Sequence, residues 1–298
     1  MDKSTNSDND CQISVKKPAW LRRRLPTGPD YEQVRGLIRK GRLHTVCQEA
    51  QCPNQFECFS ARTATFLILG SKCTRSCRFC AIDGGPCDPP DPDEPARVAM
   101  AAQRMNLRYV VVTSVTRDDL PDGGAGLFAE TIRRIRRLSA AMVIEVLIPD
   151  FQGNPQALEA VLQAGPHVLN HNIETVPRLY ATVRPEAVYE RSLELLSRVS
   201  AFDPPIPAKS GLMLGLGETS PEVRDTLRDI HATGCKILTL GQYLQPSKRH
   251  LQVKQFVTPE EFDRWRDKAL EIGFAEVVSG PFVRSSYHAQ ELYQALTD

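Results

Sequence analysis

The sequence predicts an α/β protein: a partial (β/α)6-type barrel with an N-terminal, cysteine-bearing extension and a C-terminal tail. From Thr65 onward, short apolar runs alternate with amphipathic helical patterns, the appearance of successive βα units. Most of these runs are near-continuous rather than alternating, which suits strands of a parallel sheet covered by helices. A polar or glycine-rich motif follows each of six successive runs, and a parallel barrel builds its site from the loops at the carboxyl ends of its strands. Fewer than eight runs are countable, so the barrel is open or partial, with about six units.

Taken in order, residues 1–30 lack hydrophobic periodicity and contain Lys17-Pro18, Pro26 and Gly28-Pro29, so they read as an arm. Strands are predicted at Thr65–Leu69, Tyr109–Ser114, Met142–Ile148, His167–Ile173, Pro207–Met213, Lys236–Gly241 and Ala275–Ser279. Pro89-Pro90-Asp91-Pro92 is a stiff connection. Ser220 is expected to cap a helix with Pro221 at its first position and Gly234 at its end. Thr258-Pro259-Glu260-Glu261 reads as a capping box, after which Phe262, Trp265, Ala269 and Ile272 share a face. The motifs after the strands are the Cys73 cluster, Thr113 to Asp119, Pro149-Asp150, Glu174, Gly215 to Thr219, and Gln242-Tyr243. This organisation divides the chain into 1–62, 63–280 and 281–298.

The 298 residues are 41% apolar and 24% charged, ordinary values for a globular chain with one large core. A formal net charge of +1 excludes a global field toward nucleic acid or an anionic membrane. Locally, Lys16 to Arg42 holds nine Lys/Arg against Asp30 and Glu32, either a solvated flank or a docking surface for an acidic partner. No apolar run approaches the roughly 18–20 residues of a membrane span, and the polar N-terminus resembles no targeting signal. A cytoplasmic location is expected, where nine cysteines point to metal or catalysis rather than disulfides.

The sharpest local signal is Cys73-Thr74-Arg75-Ser76-Cys77-Arg78-Phe79-Cys80, a C-x3-C-x2-C run just after a strand. Three thiolates so spaced can hold three irons of a cubane cluster and leave the fourth without a protein ligand. An open iron can chelate a small molecule, as a catalytic zinc keeps one position free. A ferredoxin arrangement wants a fourth cysteine followed by proline, which Cys87-Asp88-Pro89 does not supply well. Structural zinc, and free or disulfide-bonded cysteines, stay open as alternatives. The spacing, with Phe79 before the last cysteine, resembles the signature of the radical S-adenosylmethionine superfamily.

A second run, Cys47, Cys52 and Cys58, has the spacing C-x4-C-x5-C, which matches no common zinc pattern. Together the triads resemble those of the lipoyl synthase family. The likeness extends through Ala64-Thr65-Phe66, Arg108 to Val115, Arg117-Asp118-Asp119-Leu120, Asn170-His171-Asn172, Lys209 to Met213, Leu240 to Ser247, and Gly280 to Ala289. It implies two 4Fe-4S clusters per chain and S-adenosylmethionine. Cys73, Cys77 and Cys80 would hold the radical-generating cluster; Cys47, Cys52 and Cys58 would hold an auxiliary one. A serine of Arg284-Ser285-Ser286-Tyr287 would complete the auxiliary set, Ser286 before Ser285. Cys11, Cys87 and Cys235 belong to neither triad, and Cys235 reads as a buried small hydrophobe.

The same resemblance implies the reaction. Reductive cleavage of S-adenosylmethionine gives a 5′-deoxyadenosyl radical, which abstracts hydrogen from an octanoyl chain; sulfur from the auxiliary cluster is then inserted at carbons 6 and 8. Catalytic roles fall to Cys73, Cys77, Cys80 and Ser286, and contacts to S-adenosylmethionine to Phe79, Ser114 and Glu174. His171 reads equally as a satisfied strand histidine or a ligand contact. Gly215 and Gly217 either turn the chain or allow close approach of the nucleoside or methionine. The implied partners are an octanoylated lipoyl carrier domain, an electron donor such as ferredoxin or flavodoxin, and a cluster-assembly protein. Alternatives are another two-cluster radical enzyme that inserts sulfur, and a non-enzymatic iron-sulfur protein.

Overall fold

The structure, a computed structural model, describes residues 17–22, 28–60 and 63–297. Its strands are β1 (His44–Thr45), β2 (Thr65–Ile68), β3 (Lys72–Cys73), β4 (Asp83–Gly84), β5 (Tyr109–Ser114), β6 (Val143–Leu147), β7 (Val168–Asn170), β8 (Ala208–Leu214), β9 (Ile237–Gln242) and β10 (Glu276–Gly280). The main sheet runs β1-β2-β5-β6-β7-β8-β9-β10. From β2 to β10 every pairing in it is parallel, and β1 adds antiparallel at one edge. This is the predicted open barrel, and each expected strand is present within a few residues of its expected ends. The sequence pattern did not reveal β1 or the small β3-β4 ribbon, because two-residue strands carry no periodicity.

Strand alternation separates two faces. Val110 and Val112 of β5 join the main core under the helices, whereas Tyr109 and Val111 face inward and pack with Ala289 and Tyr293. The last helix, Ala289–Thr297, closes the amino-terminal mouth of the barrel. Its Leu292 packs on Val168 and Ile237, the first residues of β7 and β9, and Tyr293 lies 6.2 Å from both the Tyr109 and His167 rings. Above it sits an enclosed ion pair, Lys209 Nζ 3.0 Å from Glu145 Oε1, with both side chains 1% exposed. Tyr109 donates to the same carboxylate at 2.5 Å, so the charge is paired and hydrogen-bonded as burial requires.

Two expectations change. Thr219 rather than Ser220 caps the helix Ser220–Ala232; its N–H donates to Glu222 at 2.7 Å, and glutamate three residues on selects the cap. Residues 1–30 are not uniformly an arm: Leu21 is buried and a helix runs Pro29–Lys40, with Val34 and Ile38 inward. Thr258 caps Pro259–Ile272 with Glu261 as expected.

Candidate functional site

A cavity of about 520 Å³ opens where the strands end. Its wall takes Ser114 from β5, Leu147 to Pro149 after β6, Glu174 after β7, Gly211 to Met213 of β8, and Gln242-Tyr243 at the end of β9. All six triad cysteines, Phe79, Ser285 and Ser286 line the same space. The cysteine runs, separated by a strand in sequence, therefore face one another across the barrel mouth.

The first loop is clamped from several sides. Arg75 is buried between carboxylates, its Nε 2.6 Å from Asp118 Oδ2 and its Nη2 2.6 Å from Asp150 Oδ1. Arg78 N–H donates to Val183 O at 2.9 Å, Ser76 Oγ donates to Glu186 at 2.6 Å, and His250 Nε2 meets Cys80 O at 2.9 Å. The Cys73 sulfur receives the N–H groups of Arg75 at 3.4 Å and Thr116 at 3.3 Å. Burial pushes the Cys77 thiol up to about 12 against the pull of Arg184, and the Cys80 thiol up to about 11. Loading iron on these sulfurs must therefore expel their protons.

The second triad is hung on the edge of the sheet. Thr45 of β1 pairs with Phe66 of β2, and Thr45 then accepts the Gln48 N–H to start the short helix Val46–Glu49, which carries Cys47. Cys52 N–H donates to Cys47 O at 3.2 Å, and Cys58 N–H donates to Asn54 O at 2.9 Å within the next helix start. The C-terminal segment is laced onto this unit: Asn54 Nδ2 donates to Phe282 O at 2.7 Å, Tyr287 Oη to Glu57 at 3.1 Å, and Thr65 Oγ1 to Ser286 Oγ at 2.8 Å. Its close approach requires Gly241, where a Cβ would stand 2.2 Å from Val283 O. Burial raises the Cys47 thiol to about 12.

Three cysteines and a serine oxygen around one cavity suit an iron-sulfur cluster: soft thiolates hold iron, and the hard oxygen supplies a weaker fourth ligand. Among the described residues, no three His, Cys, Asp or Glu side chains converge on one metal ion. A cubane spreads its ligands over separate irons and does not need such convergence.

The space beside the first triad also has free polar capacity. Ser114 Oγ, Asn172 Oδ1 and Arg184 Nε are buried without a hydrogen-bond partner, and their side chains line the cavity next to Glu174. Buried polar atoms normally have partners, so an amino acid-like ligand fits there. Glu174 is held at φ 69° by the bridge to Leu212, with Asn172 Nδ2 on its carboxylate at 3.1 Å. Burial raises its carboxyl, while Arg184 counters it. Sequence reasoning singled out Ser114, Glu174 and Phe79 but missed Asn172 and Arg184; the polar run Asn170-His171-Asn172 was the available signal for the first.

Several other residues singled out in the sequence have structural roles. His171 is a satisfied structural histidine: Nδ1 meets Ile148 O at 2.9 Å and Nε2 meets Ser192 Oγ at 3.0 Å. Gly215 and Gly217 turn the chain outside the cavity, Gly215 at φ 101° with Glu218 accepting its N–H. Asp118 and Asp119 are consumed by Arg75 and Arg117. Cys87 caps the β3-β4 ribbon, its Sγ 3.2 Å from Lys72 O, and Cys235 is buried against Ala208 O. Cys11, Lys16, Arg23, Arg24 and Pro26 lie outside the described residues.

The Radical SAM superfamily model matches residues 67–230, and the model of the N-terminal domain of lipoyl synthase of that family matches residues 2–52. A lipoyl synthase from Desulfotalea psychrophila is 58% identical, covering 95% of this chain and 95% of its own length. Another, from Alkaliphilus metalliredigens, is 52% identical over 93% of this chain and 95% of its own. Among solved structures, methylornithine synthase (PylB) superposes with a TM-score of 0.51 at 13% identity, covering 86% of this chain and 82% of that one. HydG, a maturase of the [FeFe]-hydrogenase, gives 0.53 at 13% identity, covering 88% and 74%. At such identity these two show the fold alone.

Proposed function

The chain belongs to the lipoyl synthase family within the radical S-adenosylmethionine superfamily, and on that premise we propose how its residues divide the work of inserting two sulfur atoms, at carbons 6 and 8, into a protein-bound octanoyl-lysine. The family's two 4Fe-4S clusters and S-adenosylmethionine, when bound, supply the hydrogen-abstracting radical and the inserted sulfur. Everything else falls to the side chains.

Cys73, Cys77 and Cys80 hold the first cluster on a loop that Arg75 ties to Asp118 and Asp150. Ser114, Asn172, Glu174 and Arg184 take the amino and carboxylate groups of S-adenosylmethionine, because the unpartnered atoms of Ser114, Asn172 and Arg184 and the Glu174 carboxylate line the cavity with that loop. Phe79 lines the same wall and offers its ring to the adenine. Cys47, Cys52, Cys58 and Ser286 hold the auxiliary cluster. Ser286 contributes an oxygen that leaves iron more readily than a fourth thiolate would. The barrel walls and the helix Ala289–Thr297 below exclude water, which a radical site requires. The useful division of the chain is 1–62 and 281–298 for the auxiliary set, 63–280 for the barrel.

The protein substrate is an octanoylated carrier domain. The basic stretch containing Arg22, Arg35, Arg39, Lys40 and Arg42 steers its acidic surface toward the mouth. Electrons come from a ferredoxin or flavodoxin, and an assembly protein renews the auxiliary cluster.

The observation that carries the reading is the convergence of both triads and Ser286 on one cavity. Its test is anaerobic turnover of the reconstituted enzyme with an octanoyl-lysyl peptide, reductant and S-adenosylmethionine. Mass spectrometry should find the dithiolated peptide together with 5′-deoxyadenosine. Production of 5′-deoxyadenosine with no sulfur in the peptide overturns the proposal.

A further inference from the structure

We infer that Thr65 is a positioning residue for the oxygen ligand of the auxiliary cluster: its hydroxyl fixes Ser286 Oγ against the wall that carries Cys47. This rests on Ser286 being that ligand. Thr65 is buried on β2, and its Oγ1 donates to Ser286 Oγ at 2.8 Å across 221 positions of sequence. Thr65 and Cys47 both line the cavity. The reason lies in the register. β1 pairs with β2 as far as Thr45 opposite Phe66 and then turns into the helix of Cys47, which leaves the sheet edge at the level where Thr65 begins β2. Thr65 thus bonds the last member of a ligand set drawn from both ends of the chain and lies beside the segment that carries the first.

The hydroxyl can be removed on its own. A β-branched side chain suits this strand, so valine keeps the shape and deletes only the bond to Ser286. A serine hydroxyl has several rotamers, and one donor from a rigid strand selects the rotamer in which the oxygen faces the cavity. Losing that selection leaves the iron on the serine side more often unprotected. The expected effect is that of one hydrogen bond, about fivefold in the rate of iron loss.

The test uses the full chain with Cys73, Cys77 and Cys80 replaced by alanine, so that only the auxiliary cluster is present. After anaerobic reconstitution, iron transfer to a ferrous chelator is followed by absorbance. Thr65→Val should release iron about fivefold faster than this parent, and Thr65→Ser at the parent's rate. Ser286→Ala should also be fast, and adding Thr65→Val to it should change nothing further, because two residues acting through one bond are not additive. Parent-like release by Thr65→Val, or an added effect in the Ser286→Ala background, overturns the inference and leaves the serine assignment standing. Parent-like release by Ser286→Ala overturns both. Should Thr65→Val take up no cluster, uptake by Thr65→Ser but not Thr65→Ala supports the inference, and any other pattern overturns it.

Discussion

Replacing Asp150 with asparagine removes one charge from the hinge that holds the first cysteine loop. Arg75, between Cys73 and Cys77, is fixed by Asp118 on one side and by Asp150 Oδ1 at 2.6 Å on the other, and Arg191 reaches Asp150 Oδ2 at 3.2 Å. Burial alone would raise the Asp150 carboxyl, but the Arg75 guanidinium outweighs it and holds the pKa down to about 2 from an ordinary 3.8. That depression corresponds to about 2 kcal/mol in favour of the ionised native state. A hydrogen bond to a charged group is worth about 1.5–3 kcal/mol, so the two routes agree. A depressed carboxyl stabilises the fold above its unfolded pKa, and the contribution is lost only as pH falls through about 2. The amide keeps an Oδ1 acceptor for Arg75 and for the Gln152 N–H, while the half-exposed Arg191 loses its acceptor at Oδ2 along with the charge. Anaerobic urea unfolding of wild type and Asp150→Asn should differ by about 2 kcal/mol, with the same difference from about pH 5 to about pH 7. A difference below about 0.5 kcal/mol, or one that drifts across that window, refutes the reasoning.

Further outcomes are expected. Lys209→Met leaves Glu145 charged and unpaired in the barrel, at a cost of about 3–5 kcal/mol that the additional change Glu145→Leu should largely recover in the same unfolding assay. Glu174→Gln, with both clusters intact, should weaken S-adenosylmethionine binding by about tenfold in calorimetry; unchanged affinity removes Glu174 from the contact set. Reversing Arg22, Arg35 and Arg39 to glutamate should slow association with the octanoylated carrier at low salt and flatten its salt dependence; an unaltered rate removes the docking proposal. Iron analysis should fall from about eight to about four atoms per chain when either triad is replaced by alanine.

Much of this architecture was legible because the strands are buried on both faces: Tyr109–Ser114 is a nearly unbroken apolar run, and its ends in the structure match its ends in the sequence. The cysteine triads were legible for a different reason, since covalent spacing alone brings Cys73, Cys77 and Cys80 to one loop. What sequence could not show is pairing across long separations. Arg75 with Asp150, Lys209 with Glu145 and Thr65 with Ser286 lie 75, 64 and 221 positions apart. Charged residues inside apolar strands, such as Glu145 and Lys209, were the signal that partners must exist, because a lone buried charge is not tolerated. The glycine motif at Gly215 left two readings open, since a turn and a ligand loop use the same residue, and the structure has the turn.

The C-terminal segment limits how Ser286 can move. Before it, Val283 O presses on Gly241 so closely that even a methyl group would be excluded, and Asn54 holds Phe282 O. After it, Tyr287 reaches Glu57, and the helix Ala289–Thr297 is seated in the floor of the barrel by Leu292 and Tyr293. With the backbone anchored on both sides, side-chain rotation is the route that moves the serine oxygen without opening the loop. Such rotation is fast and leaves the walls closed to water, so a ligand of this kind exchanges without exposing the chemistry around it. A cysteine at the same position would hold iron through a softer and stronger bond, and the same rotation would then have to break it. On the proposed assignment of Ser286, the hard ligand and the rigid anchoring form one arrangement: the first eases release, and the second confines it to a single side chain.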